Sequence, residues 1–324
     1  MMKKLTILVL MICLAFCSYG CSGRSVSEQE GASSDIDDAT IYKDDYHNID
    51  ADAYYDLIED CVRQIRVKTD FEPEIALVLG SGLGDYADRI DIECEIPYSE
   101  IDGFPVSTVA GHEGKLIFGT YEGKKLAIMK GRVHYYEGYS MYEVVLPIRV
   151  LAQLGAGTAI LTNAAGALNP DYSVGDFVVI RDQISSFVPS PLIGENVEEL
   201  GERFTDMTGI YDRKLQKLAV KAGKDIGVPV HRGVFMQVTG PQFETPAEIK
   251  MYRQFGVDTI AMSLAVEAIA ARHMGMKVCG ISCVTNMAAG MEEQELSHSM
   301  VSDNADDNTE NFTLLISEIL KKID

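Results

Sequence analysis

The chain has 324 residues, with 28 Lys and Arg against 49 Asp and Glu, a formal net charge of −21. No basic stripe is visible, which argues against nucleic acid as a partner and fits an acidic, well-solvated surface. The seven cysteines show neither metal-ligand spacing nor a dense disulfide pattern, so the fold is expected to rest on its core, without a metal site.

At the N-terminus, Lys3 and Lys4 precede an apolar run from Leu5 to Phe16, and the small residues Ser18 and Gly20 lead to Cys21. That is the charge, apolar and cleavage order of an export signal, and the run is shorter than the ~20 residues of a membrane span. Gly20-Cys21 resembles the small-residue-then-cysteine junction of bacterial lipoproteins. Residues 1–20 therefore read as a lipoprotein-type signal peptide and Cys21 as the lipidated residue. Cys17 is the weaker candidate because bulky Phe16 precedes it. An ordinary secretory peptide and an uncleaved anchor are the alternatives. Residues 21–49 are rich in Ser, Gly, Asp and Glu and too poor in apolar surface to offset the entropy of ordering, so they read as a flexible tether. The expected location is outside the cell membrane, lipid-anchored to its outer face, with secretion as the alternative.

From residue 50 to residue 324 the chain is long enough for one large core. The first helix is expected over Asp52–Arg66. Apolar, β-branched runs follow at Ile75–Leu79, Leu126–Met129, Thr158–Thr162, Phe177–Ile180, Val234–Val238, Thr259–Met262 and Val278–Thr285. Strands so continuously apolar are covered on both faces. Helical patterns lie between them over Tyr211–Ile226, Ile249–Phe255 and Ala265–Met274, with a last helix over Asn308–Lys322. Pro147 interrupts a helical pattern over Tyr142–Leu154, which predicts a kink or a late start. The alternation indicates an α/β fold: a single domain with a mixed central β-sheet flanked by helices. In such sheets ligands gather at the carboxyl ends of the strands.

The turns after those strands carry the candidate chemistry. Gly80-Ser81-Gly82-Leu83-Gly84 follows the first strand. It matches neither the dinucleotide nor the Walker pattern, and by itself it is a tight turn or an anion site in equal measure. In Gly131-Arg132-Val133-His134-Tyr135-Tyr136-Glu137-Gly138-Tyr139, Arg132 offers paired planar donors suited to phosphate. His134 can donate to an anion and Glu137 can fix its ring; a surface turn covering the core is the plainer reading. Asn163-Ala164-Ala165-Gly166 ends another strand with small residues that suit either close ligand approach or a tight turn. Thr245, Pro246 and Glu248 form a helix start, which leaves Phe243 and Glu244 as an aromatic face beside a carboxylate, able to stack a base and accept from its N–H. Met262 is ordinarily core filler, Asn286 offers a donor and an acceptor on a short stem, and His298 is by itself more often structural.

Taken in order, these motifs, together with Gly111-His112-Glu113-Gly114, Ala167-Leu168-Asn169-Pro170 and Ala261-Met262-Ser263, closely resemble those of the trimeric purine nucleoside phosphorylases. The resemblance runs from about Tyr54 to the C-terminal helix. It implies the nucleoside phosphorylase fold and phosphorolysis of inosine- and guanosine-type 6-oxopurine nucleosides to a free base and ribose 1-phosphate. Phosphate is then a co-substrate, no cofactor is required, and the assembly is a homotrimer. It also implies roles. Ser81, Arg132, His134, Ser263 and the backbone N–H of Ala164 bind phosphate. Tyr136, Met262 and His298 hold the ribose, Phe243 covers sugar and base, and Glu244 and Asn286 read the purine edge. Phe187 reaches into a neighbouring subunit's site. The catalytic weight falls on Asn286, Glu244 and His134. Met262-Ser263-Leu264-Ala265-Val266-Glu267 departs from the commoner Met-Ser-Thr-Val-Pro-Glu, which puts the turn after Ser263 in question, and the exported leader departs from mostly cytoplasmic relatives. Two alternatives remain: a methylthioadenosine phosphorylase-like enzyme, against which Glu244 and Asn286 argue, and a nucleoside-binding lipoprotein without turnover, against which the phosphate set argues.

Overall fold

The computed structural model describes residues 50–109, 112–293 and 295–323. The signal peptide, the tether, Cys21 and Gly111 of the Gly111–Gly114 motif lie outside the described residues. Helix α1 (Ala51–Lys68) starts where Asp50 accepts from the N–H of Ala53 at 3.1 Å, and it buries Tyr54, Ile58, Cys61 and Ile65. Their spacing of four, three and four residues makes one face of a 3.6-residue helix.

Among the described residues, nine strands form one mixed sheet: β1 (Ile75–Leu79), β2 (Asp91–Pro97), β3 (Lys115–Tyr121), β4 (Lys124–Lys130), β5 (Thr158–Ala167), β6 (Phe177–Ile184), β7 (Val230–Gln237), β8 (Thr259–Ala261) and β9 (Lys277–Met287). Their order is β2-β3-β4-β1-β5-β8-β7-β6-β9, with β9 also paired to β5. The second half of the sheet thus closes on itself through β5, β8, β7, β6 and β9. All seven strands expected from the sequence are present, and the expectation of a mixed sheet holds: β1 pairs in parallel with β4 and β5, whereas β3 pairs antiparallel with β4. Strand β1 shows why its run is unbroken. Ile75, Leu77 and Leu79 enter one core, with residues of α3 (Arg213–Ile226) and α7 (Thr309–Lys322). Ala76 and Val78 enter the other, with residues of α1, of α2 (Met141–Gln153) and of α5 (Ala265–His273).

Helix α2 corrects the expectation of a late start. It begins at Met141, six residues before Pro147, and continues past the proline to Gln153. A reciprocal capping box holds the beginning: Ser140 N–H donates to Glu143 at 2.7 Å, and Glu143 N–H donates to Ser140 Oγ at 3.3 Å. Ten buried side chains then bind the helix to its core, from Met141 to Leu151. At roughly 1.5–3 kcal/mol for each large apolar side chain, that burial outweighs the ~3 kcal/mol that an interior proline costs. Elsewhere, α4 (Pro246–Gln254) starts three residues earlier than its apolar pattern, because Thr245 and Glu248 cap it. The four described cysteines are free thiols, and three of them are buried.

The feature that positions the site is the split edge of β5. One edge pairs with β9 along its whole length, from Thr158 to Ala167. The other pairs with β1 only over Thr158–Leu161 and with β8 only at Gly166 and Ala167. Between them, residues 162–165 have no strand on that side. Thr162 finishes the ladder with its side chain: its hydroxyl donates to Val78 O at 2.8 Å and accepts from Gly80 N–H at 3.2 Å.

Candidate active site

A cavity opens where β1 and β8 part. Ser81, Arg132, His134, Tyr136, Ala164, Phe243, Glu244, Met262, Ser263, Asn286 and His298 all line it. These are all the residues singled out from the sequence for phosphate and nucleoside except Phe187. That ring is 45% exposed and packs on Tyr252, with centroids 5.6 Å apart. It does not line the cavity of its own chain.

The floor is the turn after β1 lying on β5. Gly80 is required there: a Cβ would stand 2.7 Å from the Cα of Asn163. Ser81 follows at the cavity wall. Arg132 arrives from the end of β4 and is almost fully buried. Its Nη1 donates to Thr162 O at 2.7 Å and to Ser263 Oγ at 3.2 Å, and its Nε donates to Glu267 Oε1 at 3.2 Å. Nη2 has no hydrogen-bond partner among the described residues. A buried guanidinium donor left open is costly unless a ligand completes it. Because Thr162 turns its carbonyl to the open edge of β5, the alternation of backbone groups brings the N–H of Ala164, two residues on, to the same edge. Arg132 Nη2, the Ser81 and Ser263 hydroxyls and this N–H form a set of donors suited to a small tetrahedral anion.

His134 is held by Glu137 at two points, from its backbone N–H at 2.7 Å and at Nδ1 at 2.9 Å. Burial raises the Glu137 carboxyl, but hydrogen bonds from His134 and Thr108 outweigh it and hold the group at about 2. The carboxylate is therefore ionised at neutral pH, so His134 Nδ1 carries the hydrogen and Nε2 is the ring atom left for a ligand. The His134 ring stacks on Tyr136 at 4.8 Å.

At the other end, Phe243 and Glu244 stand just before α4, half-buried, with the cap of Thr245 and Glu248 fixing their approach. Burial raises the Glu244 carboxyl above the ordinary range, and Glu248 adds to this. Asn286 near the end of β9 accepts at Oδ1 from the Thr285 hydroxyl at 3.1 Å and donates from Nδ2 to Met287 O at 3.0 Å. The amide is thus oriented with one Nδ2 hydrogen still available. His298 begins helix α6 (His298–Asp306), where Ser297 caps by accepting from Met300 N–H. The turn after Ser263, where the sequence departs from the common pattern, places Ser263 at the cavity wall. Leu264 takes a φ of 89°, and Gln237 bridges the turn by donating to Met262 O and accepting from Val266 N–H.

Two contributors had no assigned role in the sequence. Glu267, the carboxylate that neutralises Arg132, carried one signal, a lone acid within the apolar helix Ala265–His273. His112 links Ser81 to the backbone of Arg132, with Nε2 3.0 Å from Ser81 Oγ and Nδ1 accepting from Arg132 N–H at 3.0 Å. Nothing in the spacing of residues 81, 112 and 132 announces that bridge. Among the described residues, no group of three or more His, Cys, Asp or Glu side chains is placed to hold a metal ion.

The sequence profile of the phosphorylase superfamily matches residues 74–321. Purine nucleoside phosphorylase 1 of Geobacillus stearothermophilus is 45% identical over 266 residues, covering 82% of this chain and 97% of the relative. The enzyme of the same name from Bacillus subtilis is 44% identical over 265 residues, covering 82% and 98%. Among solved structures, purine nucleoside phosphorylase of Schistosoma mansoni superposes with a TM-score of 0.79 in its complex with inosine, at 37% identity over 83% of this chain and 97% of that one. Its complex with adenosine gives a TM-score of 0.79 at 38% identity, over 83% and 98%.

Proposed function

The chain belongs to the phosphorylase superfamily, among the purine nucleoside phosphorylases, and from that premise we propose how its site cleaves the N-glycosidic bond of purine nucleosides with inorganic phosphate. The observation that carries the reading is the buried Arg132, neutralised by Glu267 yet with Nη2 open at the broken edge of β5. Phosphate binds there, taking donors from Arg132, Ser81, Ser263, the backbone N–H of Ala164 and His134. Tyr136, Met262 and His298 hold the ribose between the anion and the base, and Phe243 covers sugar and base.

As the glycosidic bond lengthens, the ribose gains oxocarbenium character and negative charge moves onto the purine. Asn286 donates to the leaving base, a contact that strengthens as the charge develops. Phosphate, on the opposite side of the ribose, stabilises the cationic sugar and attacks the anomeric carbon. The bond from carbon to purine nitrogen breaks, a bond from carbon to phosphate oxygen forms, and the electron pair leaves with the base. Positioning and electrostatics carry the step. Glu244, as an acceptor, pairs with the N–H of a 6-oxopurine edge, so inosine and guanosine are the preferred substrates. Phosphate is consumed as co-substrate and no cofactor takes part.

The reading extends to assembly and place. The family resemblance supports a homotrimer in which the exposed Phe187 of one copy reaches the site of the next. The order Lys3, Lys4, Leu5–Phe16, Gly20, Cys21 supports export and lipid anchoring at Cys21. Incubation with inosine, with and without phosphate, while following hypoxanthine tests the activity. Phosphate-dependent release supports it, whereas binding without release marks a receptor. Turnover of adenosine or methylthioadenosine far above inosine would overturn the base assignment. Light scattering in solution and the mass of the mature N-terminus test the trimer and the lipid.

A further inference from the structure

The turn from Met262 to Val266 hands the chain from β8 to α5, and what it carries belongs to the site. Met262 and Ser263 line the cavity, and Glu267, in the first turn of α5, neutralises Arg132. The turn has little of its own to hold it. Leu264 is the N-cap of α5, yet its side chain offers no acceptor to the first N–H groups of the helix. Its φ of 89° lies in a region that L side chains rarely adopt. An N–H at the buried start of such a helix must find its acceptor elsewhere.

Gln237, the last residue of β7, supplies that acceptor from the neighbouring strand, with a side chain only 1% exposed. Its Oε1 accepts from Val266 N–H at 3.1 Å, and its Nε2 donates to Met262 O at 3.3 Å. One amide thus spans the turn, from the carbonyl that opens it to the second N–H of the helix. Only one orientation serves both groups, because exchanging O and N would set donor against donor and acceptor against acceptor. Beside it, Gln183 Nε2 donates to Ala265 O at 3.3 Å, and Gln183 Oε1 accepts from the Tyr211 hydroxyl at 2.6 Å. The commoner Met-Ser-Thr-Val-Pro-Glu has proline at the position of Val266, and proline brings no N–H into the first turn. Valine does, and Gln237 meets the demand.

We propose that Gln237 is a positioning residue for the reaction: by capping α5 from β7 and pinning the peptide between Met262 and Ser263, it holds Ser263 toward phosphate and Met262 toward ribose. The inference rests on the reading above, in which those two side chains face the anion and the sugar. Gln237 does not line the cavity and acts only through the turn. Of the two groups it satisfies, the N–H is the more demanding, since a buried carbonyl tolerates an open lone pair better than a buried N–H tolerates an open hydrogen.

The test is a mutant cycle read in steady-state kinetics, well below the melting temperature of every variant. Gln237→Met keeps the bulk and removes both hydrogen bonds. It is expected to raise the KM for phosphate and for inosine about tenfold each, the scale of one buried N–H left open. Val266→Pro in that background removes the open N–H and should bring both constants back to within about threefold of the native values. A residue that served stability alone would leave the constants of a folded variant unchanged. On top of Ser263→Ala, Gln237→Met should change the phosphate KM by less than about twofold while still raising the inosine KM. Native constants in Gln237→Met, or no recovery in the double variant, overturn the role. If Gln237→Met does not fold, Gln237→Asn, whose amide is one methylene too short to span both groups, takes its place with the same expectations. If Ser263→Ala leaves the phosphate KM untouched, the reading of that wall fails by itself, and the inosine constants still decide for or against Gln237.

Discussion

Replacing Glu267 by glutamine removes the only carboxylate that an ion pair within 4.0 Å gives Arg132 among the described residues, while keeping the shape and an oxygen that can still accept from Nε. In the native protein both partners are almost entirely buried, with 2% and 4% of their side chains exposed and 3.2 Å between Nε and Oε1. Breaking such a pair from one side leaves an uncompensated buried cation and costs ~3–5 kcal/mol. The retained hydrogen bond places Glu267→Gln at the lower end, about 3 kcal/mol, a fall of roughly 6–12 °C in Tm for a domain of this size. Phosphate then has a second effect. At ~100 times its Kd it stabilises any folded protein that binds it by about 2.7 kcal/mol, but in the variant it also supplies the missing countercharge to Arg132. Thermal melts of both proteins over a phosphate titration read the two effects together. The variant should start lower and gain more from phosphate than the native protein gains. A variant that melts with the native protein, or gains no more from phosphate, would refute the placement of the anion against Arg132.

Asn286→Ala should lower kcat by ~10²–10³, the usual loss for one donor to developing charge, while the dissociation constant for phosphate measured by calorimetry stays within about twofold. Because burial and Glu248 raise the Glu244 carboxyl, it takes up its proton as pH falls while ordinary carboxylates are still ionised. The kcat/KM for inosine should therefore decline on the acid side at a pH above the usual carboxylate range, and Glu244→Gln should remove that limb together with most of the activity. Glu137 works in the opposite direction. Its folded value of about 2 lies below its ordinary value, so its contribution to stability is present above the ordinary value and is lost as pH falls through about 2. Denaturant melts of Glu137→Gln should show lower stability at neutral pH and a flatter decline across that acid window than the native protein shows.

The strands that carry the site were legible because they are buried on both faces. Ile75–Leu79 reads the same in sequence and in structure, and the expected Val278–Thr285 lies inside β9. Strands β2 and β3 were not. β2 lies at the sheet edge with Asp91, Glu93 and Glu95 among its residues, and the apolar run of β3 is only three residues long, Leu116–Phe118, between half-exposed ends. Helix α6 was missed for a related reason: Ala305 is its only buried residue, so no apolar period marks it. In the site, residues that line the cavity lie in local motifs and could be singled out from them. Residues that meet only other residues could not, because His112 and Glu267 act across separations of 31 and 135 positions.

The broken edge of β5 separates what can vary from what cannot. In the proposed reading the anion takes the peptide N–H of Ala164, on a strand aligned by pairing with β9, and no substitution there short of proline deletes it. In the same reading Glu244, in the segment leading into α4, reads the base, and His298, at the first turn of a lightly buried helix, touches the sugar. A change of nucleoside preference can therefore be engineered at the rim of the cleft while its phosphate register stays untouched.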